Sequence, residues 1–303
     1  MTETLAYVYQ TLFGLGLVTA PVYVAVAGLV SWAVYLRLGS GQGFWRWLFP
    51  ARIWRHPSHN IDLQLFALGR LLAVLGLFGG VALTTLIVAG LDRLSPVPRV
   101  PAESLGPVAL AFLLWLPSDF AIYWSHRLFH RWHRIWPLHA VHHSAAVMTP
   151  FTTYRQHPLA LVLSDWAQAV TVGLFQGLLI GTLTEGAPVA QIAGINLFLV
   201  LANAALAALH HSHVWLSYGP VIEHIVISPA QHQIHHSADP KHHDRNFGNS
   251  LAIWDWMFGT LYVIRDQETL VLGLSGPQEE PLMSQRLWPI LCDPVRRMLK
   301  AGG

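Results

Sequence analysis

The chain has 303 residues, 53% of them hydrophobic and 11% charged, with a formal charge of +2. Soluble domains carry about 25% charged residues, so this balance excludes an ordinary water-facing surface and points to lipid as part of the solvent. The 18 Lys and Arg form no basic stripe of the kind nucleic acid requires, and the one cysteine, Cys292, excludes a disulfide framework or a multi-cysteine metal site.

In chain order, the start MTETLAYVYQ has no basic n-region and no small-residue cleavage site, and reads as uncleaved. A helix needs about 20 mostly apolar residues to cross a bilayer core. Residues 11–36 meet that requirement. Next comes GFWRWLFPARIWRH, which interleaves Trp with Arg as an interfacial belt does, indoles at headgroup depth and guanidinium groups reaching to phosphate. A second span is expected at 71–91, without charge, and a third at 107–124, interrupted only by Asp119. A fourth (159–181) and a fifth (187–209) are joined by the turn TLTEGA. Asp165, Gln168, Gln176, Gln191, Asn196 and Asn203 interrupt this last pair, as residues that hold helices together or face a cavity do.

Four to five spans make an all-α membrane bundle. With five, 16 Lys and Arg fall on one side and only Arg93 and Arg99 on the other, which puts the basic side in the cytoplasm and the N-terminus outside. All 18 histidines lie on the basic side. The expected organisation is an N-terminal membrane and interfacial segment (1–106), a catalytic region (107–263) and a cytosolic tail (264–303), whose close, DPVRRMLKAGG, suits a short basic helix on the inner leaflet.

The histidines cluster. HRLFH places His126 and His130 at i and i+4; HAVHH places His139, His142 and His143 at i, i+3 and i+4; HQIHH repeats that with His232, His235 and His236. On a helix each set shares a face, whereas adjacent histidines diverge by about 100°, so one pair can serve two neighbouring ions. A zinc site is satisfied by about three or four protein ligands; eight imidazoles suit two ions. Imidazole suits zinc, copper, iron and nickel alike, and no H-E-x-x-H occurs. His56, His59, His133, His210 and His224 stand outside the clusters and read as interfacial or hydrogen-bonded residues.

At these residues the sequence resembles the fatty acid hydroxylase and sterol desaturase superfamily of membrane di-iron oxygenases. The motifs run from about Pro117 to Tyr262: DFAIYWSHRLFH, WPLHAVHHSA, YRQHP, HHSHV, SPAQHQIHHSA and NFGNSLAIWDWMFGTLY. The resemblance implies a membrane helical core, a cytosolic helical cap holding two iron ions, and O2-dependent attack on lipid C–H bonds. It carries ligand roles onto His126, His130, His139, His142, His143, His232, His235 and His236, and adds His157 from YRQHP and His211 from HHSHV. His213 stands where the family has asparagine, so it and His211 could exchange roles, and Ala160 replaces a frequent glutamate. Asp119, Asn246 and Asp255 match polar positions expected to orient ligands.

The expected activity is hydroxylation or desaturation of a fatty acyl, sterol-like or other isoprenoid lipid, with O2 as co-substrate and zinc able to replace iron on purification. With no G-x-G-x-x-G and no haem motif in the sequence, electrons are expected from a ferredoxin or cytochrome b5-type donor with its reductase. Two other readings compete. A metal transporter or store would place ligands near the bilayer midplane on broken helices. A zinc-dependent lipid hydrolase would need a base beside its metal, for which Glu223 is the nearest acid in sequence to the third cluster.

Overall fold

The computed structural model describes residues 2–94, 101, 104–183, 191–192 and 195–300, and their regular secondary structure is almost entirely helical. Arg99 and parts of the expected fifth span and its connecting turn lie outside the described residues, as do the last residues of the tail.

Helix α1 (Thr2–Phe13) is followed by α2 (Pro21–Leu38), the short α3 (Phe44–Leu48) and α4 (Ala51–Trp54), and then α5 (Pro57–Val74) and α6 (Gly80–Leu94). The longest helix is α7 (Pro107–Arg131), which leads into α8 (Trp136–His143) and α9 (Pro158–Gly181). A two-residue antiparallel pairing, Gln191–Ile192 with Ile195–Asn196, precedes α10 (Leu197–Ala202), a π-turn (Asn203–Ala207) and α11 (Ala208–His210). The last elements are α12 (Pro229–His235), α13 (Ile253–Met257), α14 (Glu280–Met283) and α15 (Leu287–Lys300). Proline stands in the first turn of α2, α5, α7, α8, α9 and α12, where its missing N–H has no helical partner to lose.

Among the described residues three helices are long and apolar enough to cross a membrane: α2, α7 and α9. The third and fourth expected spans are thus single helices. The other three expectations need correction. Residues 11–36 are not continuous, because α1 ends at Phe13 and α2 starts at Pro21. The 71–91 stretch breaks between Val74 and Gly80, since Gly76 turns left-handed (φ 70°) and the Asp165 carboxylate takes the Gly80 N–H at 2.7 Å to start α6. In the fifth, the Asn196 side chain caps α10 while its amide reaches the Ala111 carbonyl at 2.8 Å, and the π-turn at Asn203 ends regular winding. Polar side chains that serve backbone groups, Asp165 at Gly80 and Asn196 at Ala111, mark breaks that hydropathy misses.

Helix α9 packs along both α6 and α7. A Cβ at Gly173 would meet Ile87 at 3.0 Å and one at Gly177 would meet Leu91 at 2.8 Å, so these glycines set the close approach of α6. Beyond the spans, Ile61, Leu65, Ala140, Val141, Leu282 and Ile290 form one core cluster. The C-terminal segment is therefore part of the cap, with α15 packed on α8.

Candidate metal centre

Helix α7 runs past the apolar stretch and carries His126 and His130 on its last turns. Helix α8 supplies His139, His142 and His143, α12 supplies His232 and His235 with His236 at its C-cap, and His211 follows α11 directly. These nine rings form two groups whose ligand atoms lie within 4.8 Å of one another: His126, His130, His139, His143 and His235, and then His142, His211, His232 and His236. The adjacent pairs are split between the groups. The rings of His142 and His143 stand at 88° to each other, and those of His235 and His236 at 86°.

The ring nitrogens are oriented from outside. His126 Nδ1 lies 2.9 Å from the Phe247 carbonyl and His235 Nδ1 lies 2.7 Å from that of Arg245, which fixes Nδ1 as the protonated nitrogen and leaves Nε2 a lone pair. Nε2 of His126, His139 and His235 is buried with no hydrogen-bond partner. In the second group, His211 Nε2 lies 3.2 Å from His142 Nε2 and 3.0 Å from the Nε2 atoms of both His232 and His236. One N–H per neutral ring cannot satisfy such a convergence, and an orphaned buried nitrogen costs about 1–3 kcal/mol. A cation in each group removes both problems, so the residues fit a pair of metal ions.

Electrostatics agree with that fit. Burial, reinforced by neighbouring imidazoles, holds the pKa of His139, His143, His211, His232, His235 and His236 well below the ordinary value, and lowers His142 to about 3. At neutral pH the rings are uncharged and able to bind metal.

Asp119, Asn246 and Asp255 do not touch the histidines. They shape the loop that does. Asp119 accepts from Ser250 and Leu251 N–H and the Trp254 indole; Asp255 accepts from Phe247 and Gly248 N–H; Asn246, in a left-handed conformation (φ 54°), bonds the Gln231 and Tyr262 backbone. The carbonyls of Arg245 and Phe247 are thereby aimed at His235 and His126.

Two expected residues sit elsewhere. His157 caps α9, its Nδ1 accepting from Leu159 N–H at 3.1 Å, while its Nε2 donates to the Leu291 carbonyl at 3.0 Å; both nitrogens are engaged away from the groups. His213 donates to the Trp47 carbonyl at 2.9 Å, so of the HHSHV pair only His211 enters a group. Of the outlying histidines, His56 caps α5, His224 Nδ1 bonds the Pro220 carbonyl, and His59 Nδ1 lies 3.1 Å from Thr149 Oγ1. His133 lines a cavity beside the first group.

Several contributors escape sequence reasoning. His210 stacks on His232 at 5.1 Å, although its isolation from the clusters gave no sign of it. Thr153 Oγ1 sits 2.9 Å from His211 Nδ1. The fully buried Arg155 pairs with Asp62 at 2.9 Å and bonds the Val141 carbonyl and the Ser144 hydroxyl, bracing the end of α8. Its position two residues before His157 in YRQHP was a usable signal, since a lone arginine in an apolar cap needs an acid.

A family model described as fatty acid hydroxylase matches residues 111–260, which contain both groups. Over that region the chain belongs to the fatty acid hydroxylase family. An ornithine lipid hydroxylase of Rhizobium tropici is 27% identical over 60% of this chain and 51% of its own length. Human alkylglycerol monooxygenase is 30% identical over 54% of this chain and 32% of its own length, and a Delta(7)-sterol 5(6)-desaturase of Aspergillus fumigatus is 28% identical over 70% and 58%. The chain thus spans about half or less of the first two relatives. No solved structure matches it significantly.

In this fatty acid hydroxylase domain the nine histidines form a wall between two cavities. One, of about 250 Å³, lies between α7 and α9 and touches His126, His139, His142, His211 and His232. The other, of about 380 Å³, opens beside Trp136 and Gly273 and touches His130, His143, His235 and His236.

Proposed function

We propose that the chain is an O2-dependent lipid hydroxylase or desaturase whose two histidine groups each hold one iron. The observation that carries this reading is the division of nine imidazoles, seven of them on buried residues, into two neighbouring sets that share α8 and α12. His126, His130, His139, His143 and His235 would hold one ion, and His142, His211, His232 and His236 the other. Bound there, iron supplies reductive activation of O2 and removal of hydrogen from an unactivated carbon.

The chain's own residues do the rest. The cavity between α7 and α9 admits a lipid from the membrane, because both of its walls are apolar spans. Ser125, Phe129, Ser164 and Gln168 line it and would position the reacting carbon. The opposite cavity, lined by Arg131, His133 and Asp244, offers the aqueous approach for electrons and protons. We place that face in the cytoplasm and take a ferredoxin or a cytochrome b5-type protein as donor. Residues 107–263 then form the catalytic unit, attached through 1–106 and braced by 264–303.

The relatives' names support lipid as the substrate class, with hydroxylase, monooxygenase and desaturase all represented. The competing readings gain nothing from the site. Glu223 is wholly buried and accepts from Ser217, Ser228 and Ile264, which leaves it no metal to serve. The histidines of α7 lie at its end, beyond its apolar stretch, where a permeation path would need them midway.

The test is comparative lipid mass spectrometry of cells with and without the protein under 18O2, alongside iron content of the purified chain. A lipid that gains 18O or loses two hydrogens only when both protein and O2 are present is the expected result. The same product under anaerobic conditions would refute the oxygenase.

A further inference from the structure

The elbow after α2 borders a partly open cavity of about 610 Å³ that has no part in the metal centre. Arg46 and Arg52 line it from α3 and α4, with the indoles of Trp47 and Trp215 and the amides of Gln42 and Gln267. No carboxylate lines it. Among the described residues neither guanidinium makes a hydrogen bond or an ion pair, in contrast to Arg131, Arg155 and Arg297, which each hold an acid. Guanidinium and indole groups only donate and the two glutamine amides can do either, so the wall is weighted towards donors and positive charge.

Its depth is fixed by the neighbouring span. Leu38, the last residue of α2, forms one edge, so the cavity begins where that helix leaves the apolar layer. Beside it Trp45 and Phe49 project outward, 70% and 46% exposed, as side chains at a membrane interface do. Interfacial belts usually spread their arginines over many headgroups. Here two exposed arginines without an acid partner line one partly open cavity instead.

We infer that this cavity is a binding site for a phosphate group, held between Arg46 and Arg52, and that its natural source is an anionic phospholipid of the adjoining leaflet. Guanidinium pairs the oxygens of a phosphate two at a time. The indoles pack against the glycerol and first acyl carbons, and the chains run down beside α2. The site is independent of the oxygenase reading: no ligand of either histidine group lines it, and its only histidine is His213, which is bonded to the Trp47 carbonyl.

The experiment uses the full chain, with its metal, in nanodiscs of phosphatidylcholine doped with phosphatidic acid, and separately in detergent with inorganic phosphate. Native mass spectrometry and tryptophan fluorescence report binding to the wild type and to Arg46→Gln/Arg52→Gln. At about 1 kcal/mol for each basic residue near an anionic surface, the double variant should bind phosphatidic acid about thirtyfold more weakly. Unchanged metal content and thermal unfolding would show that the fold is intact. Arg46→Lys/Arg52→Lys should recover part of the affinity, because charge returns without the paired geometry. Saturation by inorganic phosphate alone, displacing the lipid, would keep the phosphate site and overturn the lipid source. Equal retention of phosphatidic acid by wild type and glutamine variant would overturn the site.

Discussion

Helices α8 and α12 carry the same H-x-x-H-H spacing, yet they are held at opposite ends. Helix α12 is secured at its start: Ser228 and Gln231 form a capping box, and Glu223 accepts from the Ser228 hydroxyl at 2.8 Å. Helix α8 has no side-chain cap at its start and is secured at its close, where the buried Arg155 takes the Val141 carbonyl and the Ser144 hydroxyl. A cation at a helix C-terminus meets both the dipole and the unpaired carbonyls. Both devices deliver the same result, three rings whose lone pairs converge, but one rests on a serine capping box backed by a carboxylate with several donors and the other on a buried guanidinium that depends on one acid. The two helices should therefore respond differently to small changes.

The largest effects come from the ligands themselves. His235→Ala should empty the first group and His142→Ala the second, so each variant should fall from two ions to one and lose measurable product. Membrane insertion should persist, because the spans are held by lipid and helix packing. Metal analysis of each variant decides the division between groups; loss of both ions from both variants would show a single cooperative site. Next in size is Asp62→Asn. It leaves Arg155 charged and unpaired in a fully buried place, a change worth about 3–5 kcal/mol, and the damage should concentrate on α8. Denaturant unfolding of the iron-loaded protein measures the loss, and an unaffected midpoint would mean that α8 does not depend on the charge.

Acid should act on both helices alike, through their histidines. The lowered pKa values mean that an unfolded chain takes up protons near 6.5 which the folded, metal-free cluster refuses down to about 3 at His142. Stability of the chelated protein is therefore retained above pH 6.5 and lost progressively as pH falls below it, because the unfolded state binds more protons there. Thermal unfolding of chelator-treated protein between pH 8 and pH 5 tests this. A midpoint that rises on acidification would contradict neutral buried rings.

Much of this centre was legible in the sequence because metal binding is written in side chains at helical spacing. The i, i+3 and i+4 pattern identified eight of the nine histidines that gather here, and the divergence of adjacent histidines foretold their division between two groups. His157 misled because a histidine before proline is also a good cap for α9. The carbonyls of Phe247 and Arg245 were invisible, since backbone leaves no mark on composition. The spans were legible where a helix is continuous, as in α7 and α9, and illegible where a single contact breaks it. Asp165 reaching Gly80 across 85 positions is such a contact, and hydropathy averages over it.

Ser228→Ala should have the smallest effect, and it probes the capped end of the contrast. The Ser228 hydroxyl accepts from Gln231 N–H at 3.1 Å and donates to Glu223 Oε1. Its loss leaves one helix N–H unpaired, but Glu223 keeps the Ser217 hydroxyl at 2.7 Å and Ile264 N–H at 3.0 Å. The carboxylate is not stranded as Arg155 would be. A lost N-cap costs about 1 kcal/mol, and His232 and His235 lie beyond Gln231, with His235 still bonded to the Arg245 carbonyl. The variant should keep both irons and full product while its unfolding midpoint drops slightly. If it sheds the second ion as His142→Ala does, α12 is no sturdier than α8, and the difference between a capped helix and a charge-braced one carries no functional weight.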